Sequence, residues 1–60
     1  MSTFVIRYGN GSEKRYSVDF RPWPTWAMLH ALAKSMLDEK GGVAVEFSGP
    51  NGINGFITRS

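Results

Sequence analysis

Residues 25–40, TWAMLHALAKSMLDEK, decide the fold. At about 100° per residue, Trp26, Leu29, Leu32, Ala33, Met36 and Leu37 share one stripe while Lys34, Ser35 and Asp38 lie opposite, the pattern of a helix with one face on a core. Thr25 stands where an N-cap belongs, behind the helix-incompatible Pro24. Gly41-Gly42 follow Lys40 as a left-handed stop with a cation beside the last carbonyls. The apolar arc is narrow and the stretch is shorter than the roughly 20 residues that span a bilayer, so no membrane partner is expected.

Strand patterns flank the helix on both sides. In TFVIRY, residues 3–8, Phe4, Ile6 and Tyr8 alternate with Thr3, Val5 and Arg7; in KRYSVDF, residues 14–20, Tyr16, Val18 and Phe20 alternate with Arg15, Ser17 and Asp19. A two-residue type I′ turn at Asn10-Gly11 would set Phe4 opposite Ser17 and Tyr8 opposite Glu13, mixing core with surface. A longer loop over residues 10–14 pairs Phe4 with Phe20, Ile6 with Val18 and Tyr8 with Tyr16, and is the expected form; a bulge that restores the parity is the alternative. Behind these strands, Arg21-Pro22-Trp23-Pro24 makes a stiff corner. There Trp23 either covers one end of the core or stands out as an anchor for a partner.

After the glycine stop, VAVEF, residues 43–47, and INGFITR, residues 53–59, form a second hairpin around Gly49-Pro50-Asn51-Gly52. Pro50-Asn51 suits a type I turn and Gly52 the left-handed residue of a bulge. The pairing that results is Gly49 with Ile53, Phe47 with Gly55, Val45 with Ile57, Glu46 with Phe56 and Ala44 with Thr58. The phenylalanine then lies over a strand glycine, and Phe56 points away from the helix. The whole chain reads as one α+β domain, residues 1–60, of order ββαββ, with one helix on one face of a four-stranded, mainly antiparallel sheet. A β-grasp-like strand order 2-1-4-3 is allowed, with 1-2-3-4 as its competitor.

Sixty residues without cysteine exclude a disulfide framework and a thiolate metal site, and favour a reducing compartment or self-association. The first residues, MSTFVIRYG, carry no basic segment followed by a long apolar run, so a cytoplasmic location is expected. A formal charge of +2 comes from seven basic and five acidic residues without a block of either sign, which does not by itself imply nucleic acid.

Catalytic constellations are not apparent. His30 is the lone histidine and has no cysteine or second histidine to make a metal set. Ser17, Ser35 and Ser48 lack a nucleophile elbow, and the glycines at 49, 52 and 55 precede a strand where a phosphate loop would need a helix. Neither enzymatic activity nor a cofactor is expected.

What remains is the sheet face turned away from the helix, carrying Val5, Arg7, Arg15, Glu46 and Phe56 among Thr3, Ser17, Asp19, Asn54 and Thr58. An apolar patch rimmed by charge fits a protein partner, and stacking two such faces would give a homodimer. The expected function is a small regulator or inhibitor that occupies a partner's surface through Phe56, Arg7, Arg15, Val5 or Trp23. The alternative is a nucleic-acid-binding module in which Phe56 stacks on bases and Arg7 and Arg15, helped by Arg59 and Lys14, hold phosphates.

Overall fold

A computed structural model describes residues 2–20 and 24–59. Trp23 and the arginine and proline before it lie outside the described residues, so the corner is not assigned a role. The elements are β1 (Ser2–Arg7), β2 (Glu13–Val18), α1 (Trp26–Lys40), β3 (Ala44–Ser48), a short turn of 3₁₀ helix (Pro50–Gly52) and β4 (Asn54–Thr58). The four strands form one antiparallel sheet with the helix packed on one face, so the ββαββ class read from the residues holds.

The helix begins and ends where its local signals place it. Thr25 is extended and its hydroxyl accepts from the Met28 amide at 3.2 Å, while Gly41 closes the last turn at φ 71°. A cap of this kind is worth about 1 kcal/mol. The two glycines of the stop do different work. Gly41 supplies the left-handed turn. Gly42 lets the chain pass against β1, since a Cβ there would lie 2.6 Å from Ile6 Cγ2 and 3.0 Å from the Arg7 carbonyl oxygen.

The strand order is β2-β1-β3-β4, neither of the two orders that alternation suggested. β1 lies antiparallel between β2 and β3, so β2, α1 and β3 form a split β-α-β unit. The inward residues explain the choice. β1 and β3 contribute Phe4, Ile6, Val45 and Phe47, all buried, whereas β4 offers Gly55 and the half-buried Ile57. On the observed order Phe4 faces Phe47 with ring centroids 6.4 Å apart, and Leu29, Ala33 and Leu37 close the core from the helix side.

Both hairpins keep the expected inward and outward faces, but the first takes the bulged alternative and the second a turn other than the one expected. The first is not the longer loop over residues 10–14. Gly11 N–H bonds to the Tyr8 carbonyl at 3.0 Å, Tyr8 N–H to the Ser12 carbonyl at 2.9 Å, and Gly11 takes φ 89°. This is a three-residue connection with a glycine bulge, the form that restores parity, and it pairs Phe4 with Tyr16 and Ile6 with Lys14, not with Phe20 and Val18. Asn10 Oδ1 fastens it by accepting from the Ser12 amide at 2.9 Å and hydroxyl at 2.6 Å.

The second hairpin has the expected register at every pair. Its turn, however, has positive φ at both Asn51 (62°) and Gly52 (76°), closed by Ile53 N–H to the Pro50 carbonyl at 3.4 Å. That is the type I′ signature of an Asn-Gly pair, not a type I turn on Pro50-Asn51. Pro50 becomes the extra residue that restores the pairing of Gly49 with Ile53.

Candidate functional site

The antiparallel registers set the outer face as three parallel rungs. The first holds Glu13, Arg7, Ala44 and Thr58; the middle one Arg15, Val5, Glu46 and Phe56; the last Ser17, Thr3, Ser48 and Asn54. The helix covers only the opposite face, so four of the five residues singled out from sequence, Val5, Arg7, Arg15 and Phe56, do share one surface, the fifth being Trp23. Phe56 is 69% exposed, the most open large apolar residue of those described. Val5, in the middle of the sheet, is half-buried.

The three rungs differ in height. Short side chains on the Ser17, Thr3, Ser48 and Asn54 rung lie beside the bulkier middle rung, and the step between them is an open cleft of about 330 Å³. Thr3, Ser48 and Asn54 make its polar floor, with Val5, Glu46 and Phe56 as its wall. The volume is at the lower end of the range of roughly 300–1,000 Å³ usual for ligand pockets, and the cleft is open along the sheet. It suits an inserted side chain better than a substrate that must be shielded from water.

Charge on this face is balanced. Arg7 Nε meets Glu13 Oε2 at 2.8 Å, so one of the two outward arginines is already paired. Arg15 and Glu46 flank Val5 from either side on the middle rung. Two arginines and two glutamates leave no net charge among the residues of the three rungs.

The two cations thought to assist the face are elsewhere. Lys14 pairs with Ile6 and so belongs to the helix-side face of β2. Arg59 turns back on the fold: its Nη2 donates to the Leu37 carbonyl at 2.7 Å and its Nε to the Gly42 carbonyl at 3.1 Å. It thereby satisfies a carbonyl of the last helical turn that has no partner inside the helix.

A second hollow, of about 350 Å³, runs between the helix and β4 and is lined by His30, Lys34, Leu37, Asp38, Ile57 and Arg59 among others. His30 stacks on Trp26 with centroids 4.7 Å apart and presents an edge to Phe47. Among the described residues no three potential His, Asp or Glu ligands come together for a metal ion. Nor is any described helix long and apolar enough to cross a membrane.

Trp26 has a role that its place on the apolar stripe did not disclose. Half exposed, it packs on Phe47 and donates its indole N–H to the Asn54 carbonyl at 3.2 Å, tying the first helical turn to the outermost strand. The signal in the sequence is indirect: the glycine at 55 leaves room on the inner face for a large ring from the helix. Compared with family models, with curated proteins and with solved structures, the chain matches none.

Proposed function

We propose that this domain is a non-enzymatic protein-binding module, a small regulator or inhibitor that occupies a partner's surface with its outer sheet face. The observation that carries the proposal is Phe56, a phenylalanine 69% exposed beside a polar-floored cleft on a face whose three rungs carry no net charge. An exposed aromatic next to a hollow is the usual composition of an interface anchor, and truncating such an anchor costs upward of about 2 kcal/mol of binding. On the same rung Glu46 stands between Phe56 and Val5, and Arg15 lies beyond Val5, so one charge of each sign flanks the apolar residues to set orientation.

A nucleic acid fits this surface less well. Its phosphates would meet Glu13 and Glu46 as well as Arg7 and Arg15, and the single exposed aromatic of this face among the described residues offers less than the stacking platforms that read bases. Binding to the isolated partner, measured at two salt concentrations, separates the two. A protein partner held mainly through Phe56 is bound with a shallow salt dependence and weakened at least tenfold by Phe56→Ala. Steep loss of binding with salt and retention of single- or double-stranded nucleic acid at low salt would overturn the proposal.

A further inference from the structure

The two edges of the sheet are built differently. In an antiparallel ladder the residues that bond to their neighbour alternate with residues whose N–H and C=O point outward. Tyr8 pairs with Ser12 through a hydrogen bond, so Glu13, Arg15 and Ser17 send their backbone groups outward from β2. Gly49 pairs with Ile53, and Arg59 N–H bonds to the Val43 carbonyl, so Asn54, Phe56 and Thr58 do the same from β4. The β2 edge carries Glu13, Lys14 and Arg15, the charges that keep an edge from pairing with another chain. The β4 edge, Asn-Gly-Phe-Ile-Thr, carries none. At one end its Asn54 carbonyl is taken by the Trp26 indole, which leaves Phe56 to Thr58 as the open segment.

We infer that β4 is a self-pairing edge, on which a second copy of this chain adds its own β4 antiparallel across Phe56–Thr58 to make one continuous eight-stranded sheet. The segment suits its own copy. About a two-fold axis at Ile57, Phe56 of each chain lies opposite Thr58 of the other, and no charge meets a like charge.

The helix face next to β4 is compatible with the pairing. Lys34 and Asp38 line the hollow beside Ile57 and Thr58, one charge of each sign a turn apart, so an antiparallel copy meets no net repulsion there. Ala27 and Ala31, both exposed, continue that stripe with small side chains. Because α1 packs chiefly on β3 and β4, joining two β4 edges at the ordinary strand spacing sets the two helix axes about 10 Å apart, a normal helix packing distance. Both Phe56 side chains stay on the outer face, which the dimer doubles in width.

The test is the mass of the full chain by sedimentation across a concentration series, with substitutions on each edge. The expected result is a rise toward twice the 6.7 kDa chain mass, lost in Thr58→Pro and kept in Ser17→Pro. Each proline removes one outward N–H without touching the inner ladder. Thr58→Lys gives β4 the charge that β2 has and keeps the test open should the proline variant fail to fold; it too is expected to be monomeric. A parent chain that stays monomeric into the hundreds of micromolar overturns the inference, as does a dimer that survives Thr58→Lys or one broken by Ser17→Pro with its fold intact. Thr58→Lys leaves the Phe56 side chain in place, so loss of the dimer and loss of partner binding read out separately.

Discussion

Phe47 and Gly55 face each other across β3 and β4, and the phenylalanine ring fills the space a side chain at 55 would need. A Cβ there would lie 2.8 Å from Phe47 Cζ and 3.1 Å from the Trp26 indole nitrogen. The glycine is what lets the core ring and the helix-end ring meet over the edge strand. Gly55→Ala is expected to destabilise by about 1–3 kcal/mol, the usual cost of overpacking, seen as a lower urea midpoint. An unchanged midpoint would mean that the two rings shift at no cost.

Gly42 and Gly41 give a graded comparison. At Gly42 an added methyl meets Ile6 Cγ2 and a backbone carbonyl, neither able to retreat easily, whereas at Gly41 it meets open space and pays only for φ 71°. Gly42→Ala should therefore lower the melting temperature by more than Gly41→Ala, for which about 1 kcal/mol, or roughly 4–8 °C in a domain this small, is expected. The reverse order, measured by thermal unfolding of the two variants side by side, would contradict the close approach of this segment to β1.

Arg59 joins the end of β4 to the end of the helix through two charge-assisted hydrogen bonds, to the Leu37 and Gly42 carbonyls. Arg59→Ala should cost about 1–3 kcal/mol, and Arg59→Lys should recover only part, since an ammonium lacks the fork that reaches both carbonyls. Amide exchange would locate the loss at the last turn of α1. Equal stability of the alanine variant would assign Arg59 to solvent.

Ser2 presents the opposite case. Ser2 is 1% exposed and its hydroxyl has no hydrogen-bond partner among the described residues, so folding desolvates the group without return. Ser2→Ala is expected to raise stability by up to about 1 kcal/mol, read as a higher urea midpoint at an unchanged slope. A fall in the midpoint would show that the hydroxyl is bonded in solution.

How much of this could be read from the residues follows from what each signal encodes. Alternation assigns faces, and the faces of Val5, Arg7, Arg15, Glu46 and Phe56 came out as alternation placed them. Caps encode ends, and Thr25 and Gly41 bound the helix as expected. Alternation does not encode strand order, because the same inward faces allow several neighbours; in the observed order the two strands with fully buried inward residues, β1 and β3, stand at the centre. Turn type was also hidden. An Asn-Gly pair occurs in both hairpins, and only the second uses it as a type I′ turn, because Pro50 there can be spared from the ladder while Asn10 is held by Ser12. The inward turn of Arg59 was invisible because a long cation at a strand end can reach solvent or a helix terminus equally well.

The partner-binding surface is tested most directly by affinity capture from an extract of the native host, treated with nuclease, comparing the parent chain with Phe56→Ala and with Ser35→Ala on the polar back of the helix. Phe56 is largely exposed, so its removal should leave the melting temperature within a few degrees of the parent. The expected result is a discrete protein retained by the parent and by Ser35→Ala and lost with Phe56→Ala at unchanged stability. Retention of the same protein by folded Phe56→Ala, or capture that the nuclease abolishes, would contradict it.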